Sequence, residues 1–276
     1  MSSIAVVTCG TADMSFAIGT MLLNFKSKTK IKNYDTFIFS DSKIRQKDKS
    51  LFEQKLNCKI IDYICPVDLS ETKNRFIKYF SPIVFSKFET LKLLKSYDQV
   101  LYLDYDIVIL ENIDDLFLKK DGFAFLEGDR LIKDTLSENI YEYKTDTECV
   151  AAGTFILNSK GLKESNINEM YEFCIFALKE YEDKLMLPEQ NVFDLMIQKF
   201  SLNVGKLNKD IFALHPSEYN KDFKTKILHC YGKKKFWNNY YFQYWESDYR
   251  VWKKIGGSSF KPFKYFIKTL TRKLTK

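Results

Sequence analysis

Val100-Leu101-Tyr102-Leu103-Asp104-Tyr105-Asp106-Ile107-Val108-Ile109-Leu110 sets two carboxylates inside an otherwise apolar run. A buried carboxylate without a partner is costly, so such a group pairs or binds a metal. Read as one extended strand, the stretch sends Asp104 and Asp106 to the same side. Two adjacent carboxylates at the end of a buried strand make a site for a hard divalent cation. A cation held there can in turn hold a diphosphate. In a chain with 36 acidic residues one such pair also arises by chance. The apolar flanks distinguish this pair from a solvated charged loop. The following Glu111-Asn112-Ile113-Asp114-Asp115-Leu116-Phe117 reads as a turn and a short helix.

Upstream, residues 4–9 read as a short buried strand and Gly10-Thr11-Ala12-Asp13 as a turn. The apolar spacing of 14–25 predicts a helix with Asp13 as N-cap. Strands at 36–40 and 59–64 flank a helix at 48–56. A helix at 86–96 leads into the acidic strand. Downstream come strands at 122–127 and 150–157 and helices at about 166–182 and 188–200. Residues 128–148 are polar and read as an irregular flap. This alternation predicts an α/β sheet with covering helices. In open α/β sheets ligands bind beyond the carboxyl ends of strands, where both the Gly10 turn and the acidic pair fall. The turn has one glycine and no Gly-x-Gly-x-x-Gly, which excludes a dinucleotide site of the usual glycine-rich kind.

The chain has 276 residues, 45% hydrophobic and 16% aromatic, and a formal charge of +7. That suits a packed domain burying about three-quarters of its unfolded surface. The charge is local. Residues 253–276 hold eight Lys and Arg and no acid, so the other 252 residues carry −1. A nucleic-acid protein spreads its basic residues over a folded face, and this near-neutral body argues against one. Within the tail, Phe263, Phe266, Ile267, Leu270 and Leu274 follow a helical period. A basic amphipathic helix is a membrane-surface or partner-binding element; the other reading is a terminal helix packed on its own domain. Gly256-Gly257-Ser258-Ser259 reads as the hinge before it. The division is therefore one domain over 1–255 and a basic tail over 256–276. Cys9, Cys58, Cys65, Cys149, Cys174 and Cys230 form no Cys-x-x-Cys pair and read as reduced, mostly buried thiols. The N-terminus has no signal-peptide pattern and no apolar run is long enough for a membrane span. The expected place is the cytoplasm, peripheral at the inner membrane face if the tail binds lipid.

Several segments together resemble the glycosyltransferase family that includes glycogenin and the bacterial lipooligosaccharide galactosyltransferases (family 8, retaining, GT-A fold). They run in order from about residue 4 to residue 238. Asp104-Tyr105-Asp106 and the following Glu111 to Phe117 are similar to the family's Asp-x-Asp and its sequel. Val7-Thr8-Cys9-Gly10-Thr11 and Phe16-Ala17-Ile18-Gly19 are similar to its nucleotide-binding segment. Phe85-Ser86-Lys87-Phe88 falls where the family has a lysine. Ala151-Ala152-Gly153-Thr154 resembles its Asn-Ala-Gly strand. Pro188-Glu189-Gln190-Asn191 resembles its Asp-Gln segment. His229-Cys230-Tyr231-Gly232-Lys233-Lys234-Lys235-Phe236-Trp237 resembles its His-x-x-Gly-x-x-Lys-Pro-Trp segment.

The resemblance implies a mixed, Rossmann-like sheet flanked by helices, and a hexose moved from a UDP-sugar to a glycan or glycolipid. UDP-glucose or UDP-galactose would be the donor. Asp104, Asp106 and His229 would hold Mn²⁺ or Mg²⁺; carboxylate with imidazole suits Mn²⁺ better than Ca²⁺. Lys235 and the backbone at Gly232 would bind the diphosphate. Thr8, Gly10, Thr11, Phe16 and Tyr105 would lie near the nucleoside, with Phe16 stacking where glycogenin has tyrosine. Lys87 would approach donor phosphate or sugar. Gln190 would sit near the anomeric carbon and Glu189 would bind donor hydroxyls. Glu189 stands where the family has Asp, and Ala151 where it has a sugar-contacting Asn. Those two departures put donor identity in doubt. They also keep open a non-catalytic sugar-nucleotide or glycan-binding protein of the same fold. Taken alone, His229 would read as an ordinary buried histidine. Trp237, Trp245 and Tyr240-Tyr241-Phe242 read as core or as an acceptor platform.

Overall fold

The computed structural model describes residues 3–118 and 122–262. The expected tail helix, from Phe263 onward, lies outside the described residues. The first half alternates as β1 (Ile4–Cys9), α1 (Ser15–Lys28), β2 (Asp35–Ser40), α2 (Gln46–Gln54), β3 (Cys58–Asp62), α3 (Arg75–Tyr79) and α4 (Glu89–Leu93). Then follow β4 (Gln99–Leu103), β5 (Ile107–Ile109), β6 (Phe123–Leu131) and β7 (Glu148–Asn158). The chain continues through α5 (Glu164–Glu180), α6 (Pro188–Lys199), β8 (Val204–Leu207), α7 (Lys209–Phe212), β9 (Ile227–His229) and α8 (Glu246–Lys254).

Seven strands form one mixed sheet in the order β3-β2-β1-β4-β7-β6-β8. Pairing is parallel except where β7 runs antiparallel to β4 and β6. Both faces are covered, so its central strands are apolar on both sides. Along β1, Ile4 and Val6 join the layer under α1 and α8, while Ala5, Val7 and Cys9 join the layer under α5 and α6. Along β4, Leu101 and Leu103 face the first layer, and Val100 and Tyr102 the second.

The acidic stretch is not one strand. β4 ends at Leu103, and Asp104 to Asp106 form a turn. The Asp104 N–H still donates to the Gly153 carbonyl at 2.9 Å, the last rung towards β7. After the turn the chain leaves the main sheet. β5 pairs antiparallel with β9 in a small second sheet, with Ile107 opposite His229.

Other local expectations need correction. Asp13 does not cap α1: a 3-10 turn at Ala12–Met14 precedes the helix, and Asp13 instead accepts the Thr11 hydroxyl. The expected helix at 86–96 is a 3-10 segment, Pro82–Phe88, followed by the short α4. Residues 128–148 are only partly a flap, since β6 runs to Leu131 and Ile132, Leu136 and Ile140 are buried. The glycine pair at 256–257 is no free hinge. A Cβ on Gly257 would stand 2.0 Å from the Trp252 ring, and one on Gly19 2.4 Å from the same indole. The two glycines let the chain close over Trp252, which stacks on Phe52 with centroids 5.2 Å apart. The Trp252 indole N–H donates to the Ser258 carbonyl at 3.0 Å, and the Ser258 N–H donates to Asp48 at 2.8 Å. All six cysteines are free thiols. Among the described residues no helix is long and apolar enough to cross a membrane.

Candidate active site

The turn at the carboxyl end of β4 and the exit of β9 meet. The Cys230 N–H donates to the Asp106 carbonyl at 2.9 Å, which locks the two segments together. His229 Nε2 then lies 3.2 Å from Asp106 Oδ1 and 3.6 Å from Asp104 Oδ2. One ligand atom from each of Asp104, Asp106 and His229 falls within 4.8 Å of the others. Two carboxylate oxygens and one imidazole nitrogen at this spacing fit a divalent cation. Gly153 makes room for this. A Cβ there would come within 2.5 Å of His229 Cε1 and 3.2 Å of Asp104 Oδ2. A glycine inside a strand often marks such a close approach.

Two lysines flank the acids. Lys235 binds Asp106 Oδ2 and donates to the Cys230 carbonyl at 2.8 Å. Lys87 is 4% exposed. Its ammonium donates to the Ala152 carbonyl at 3.0 Å and faces Glu189 at 3.2 Å and Asp104 Oδ1 at 3.3 Å. Burial alone would raise the Asp106 carboxyl, but Lys235 and His229 overcome it and hold that carboxyl well below the usual range. Burial would likewise favour neutral Lys87; Asp104 and Glu189 outweigh it and keep the ammonium charged. The centre is therefore charged on both signs and largely screened from solvent. Two surface hollows of about 460 and 470 Å³, around residues 139–147 and beside Gln198, include no residue of this centre.

The structure brings Asp104, Asp106, His229, Lys87, Glu189 and Lys235 into one connected cluster. Gly232 follows in the exposed loop with φ +81. Tyr105 covers Gly10, whose Cβ position is 3.1 Å from that ring, and stacks on Trp237 at 6.1 Å. Ala151 is half-buried on β7 opposite Leu126. Gln190 follows Glu189 on α6, but its amide turns to Cys149 Sγ at 3.6 Å.

Phe16 is displaced from its expected role. It is 3% exposed, with Trp237 and Phe260 each at 5.4 Å and Trp245 at 6.1 Å, so it is core and not a base-stacking platform. Trp237 and Trp245 are core by the same contacts. Thr8 is fully buried and its hydroxyl makes no hydrogen bond among the described residues. Thr11 is tied to Asp13.

Sequence reasoning missed three contributors. Gly153 is one, signalled by its place inside an apolar strand. Tyr102 is another; it stands two residues before Asp104. Its hydroxyl donates to Asp104 Oδ1 at 2.7 Å. Behind it lies Cys9, whose thiol burial pushes up to about 11.

The matching family model is "Glycosyl transferase family 8", over residues 5–240. No curated protein sequence matches the chain. Among solved structures, the galactosyltransferase LgtC with donor and acceptor sugar analogues is 13% identical, with TM-score 0.67 over 91% of this chain and 99% of that one. The bifunctional glycosyltransferase WbbM is 17% identical, with TM-score 0.66 over 90% of this chain and 50% of that one. The glycosyltransferase GlyE of Streptococcus pneumoniae TIGR4 is 15% identical, with TM-score 0.59 over 92% of this chain and 64% of that one. At these identities the structures establish the shared fold, and the family model, spanning most of the chain, establishes that this protein belongs to glycosyl transferase family 8 and serves glycosyl transfer.

Proposed function

We propose that the protein moves a hexose from a UDP-sugar to a glycan or glycolipid acceptor, with retention of configuration and with Mn²⁺ or Mg²⁺ held by Asp104, Asp106 and His229. The observation that carries this reading is the convergence of those three ligand atoms within 4.8 Å, flanked by Lys87 and Lys235. A bound cation supplies Lewis-acid stabilisation of the departing diphosphate. Lys235 adds a mobile point charge for the same group. It leaves Asp106 for the diphosphate when the donor binds. Lys87 joins the two halves of the site, since one ammonium orients Asp104 on the phosphate side and Glu189 on the sugar side. Glu189 accepts hydrogen bonds from donor hydroxyls. Gln190 approaches the anomeric carbon once its amide leaves Cys149. No carboxylate is assigned as a nucleophile of the retaining-glycosidase kind; the leaving phosphate takes the acceptor proton on the same face.

The test is incubation with Mn²⁺ and a panel of UDP-sugars, with UDP release as readout. Slow hydrolysis of UDP-glucose or UDP-galactose that disappears in EDTA is expected. Binding of a UDP-sugar without turnover of any donor, with acceptors supplied, would instead establish a non-catalytic sugar-nucleotide binder.

The basic segment beyond residue 262 is proposed to hold the domain at an anionic, cytoplasmic membrane face, where a glycolipid acceptor would lie. Each Lys or Arg near such a surface contributes about 1 kcal/mol. Liposomes containing phosphatidylserine should pellet the full chain but not one ending at residue 262. Equal pelleting of the two chains would sink the membrane role.

A further inference from the structure

Asp104 Oδ1 is crowded and Asp104 Oδ2 is not. Tyr102, fully buried on β4, donates its hydroxyl proton to Oδ1 at 2.7 Å. A carboxylate cannot donate, and the phenol has one proton. The 3.1 Å contact between Tyr102 and Cys9 Sγ is therefore a thiol S–H donated to the phenol oxygen. The chain of donors runs Cys9 to Tyr102 to Asp104, one way. The Lys87 ammonium, hydrogen-bonded to Glu189 and the Ala152 carbonyl, adds an ion pair with Oδ1 at 3.3 Å. One hydrogen bond and one close positive charge thus hold Oδ1 toward the protein. Oδ2 has His229 Nε2 only at 3.6 Å, beyond hydrogen-bond range.

We propose that Tyr102 is a positioning residue that reserves Asp104 Oδ1 for the protein and presents Oδ2 alone to the cation, so that Asp104 binds through one oxygen. The inference rests on the reading of Asp104, Asp106 and His229 as a cation site. Partners that orient ligands from behind typically cost 10–100-fold in metal affinity when removed. Tyr102 can do this because its ring cannot move. Phe155 stacks on it with centroids 4.9 Å apart and the Lys87 ammonium stands 5.0 Å from its centroid. Without the hydroxyl, the carboxylate keeps Lys87 but loses its fixed rotation.

The test is Mn²⁺ affinity without donor or acceptor, read from the EPR signal of free Mn²⁺ on titration. Tyr102→Phe keeps the ring and its packing. It is expected to bind Mn²⁺ about tenfold more weakly, with the melting temperature in EDTA lowered only as far as the loss of one buried hydroxyl requires. Cys9→Ala removes the hydrogen bond behind the phenol, along with a small buried volume, and is expected to weaken Mn²⁺ in the same direction by a smaller factor. Wild-type affinity in both variants would overturn the proposal. Asp106→Asn separates this result from failure of the cation site itself. If Asp106→Asn binds poorly while both variants bind as wild type, only the role of Tyr102 is wrong. If Asp106→Asn also binds as wild type, the cation site is wrong and the Tyr102 proposal falls with it.

Discussion

Asp106→Asn is expected to reduce kcat/KM for any donor by about a thousandfold, the upper range for loss of one preorganised electrostatic group. The residue does two jobs at once. It offers one of the three converging ligand atoms, and its carboxylate is the counter-charge for Lys235. The amide keeps the shape but removes the charge. The same variant should lose stability in metal-free buffer. Side-chain exposure is 11% for Asp106 and 15% for Lys235, so the pair is largely buried. Breaking such a pair from one side costs about 3 kcal/mol.

The pH dependence of that loss has a definite sign. The Asp106 carboxyl is held below its ordinary range in the folded chain. Its contribution is therefore fully present above the unfolded value, near pH 4. It is lost as pH falls below that, through the folded value. Urea melts in EDTA should show a constant gap between wild type and variant from about pH 5 to 8 that closes below about pH 4. A gap that opens on acidification, or no gap at neutral pH, would contradict the assignment.

Gly153→Ala is expected to remove cation binding by about a hundredfold, the upper end for a disturbed ligand shell, while leaving the sheet intact. Neither side of the contact can yield easily. Gly153 lies on β7, between β4 and β6, and the Asp104 N–H bonds to its carbonyl. His229 ends β9, pinned by pairing with β5. The added methyl would meet the imidazole at 2.5 Å, so the ring must turn out of the site. Overpacking of this kind costs about 1–3 kcal/mol, a modest drop in melting temperature beside a large loss of Mn²⁺ affinity. Unchanged titration by EPR would show that His229 is not a ligand. Collapse of the fold would show that the strand, not the imidazole, bears the strain.

Much of the frame was legible because it is local. The predicted strand at 4–9 matches β1, since six consecutive buried residues need no partner to be recognised. The helices near 166–182 and 188–200 match α5 and α6 within two residues. Strands β8 and β9 were not legible. Val204–Leu207 is half exposed and Ile227–His229 only three residues long, too short for an alternation to register. The turn inside the acidic stretch was hidden for another reason. Its flanks are both apolar strands, and nothing local says that they belong to different sheets.

By itself the sequence determined the chemistry on offer: two carboxylates at the end of a buried strand, and in order behind them a histidine, a glycine and a lysine. Residue type and short-range pattern carry that much. Only the tertiary structure decided which of these groups meet. His229 lies 123 residues from Asp106, Lys235 lies 129 from it, and Glu189 lies 102 from Lys87. Contacts at such separations depend on how strands pair and helices cover them. The same packing withdrew Phe16 from the expected nucleoside contacts, because α8 and the segment beyond it bring Tyr249 and Phe260 against its ring. It also brought Tyr102 and Gly153 into the site, one by its hydroxyl reaching Asp104 just past the end of β4 and the other by having no side chain.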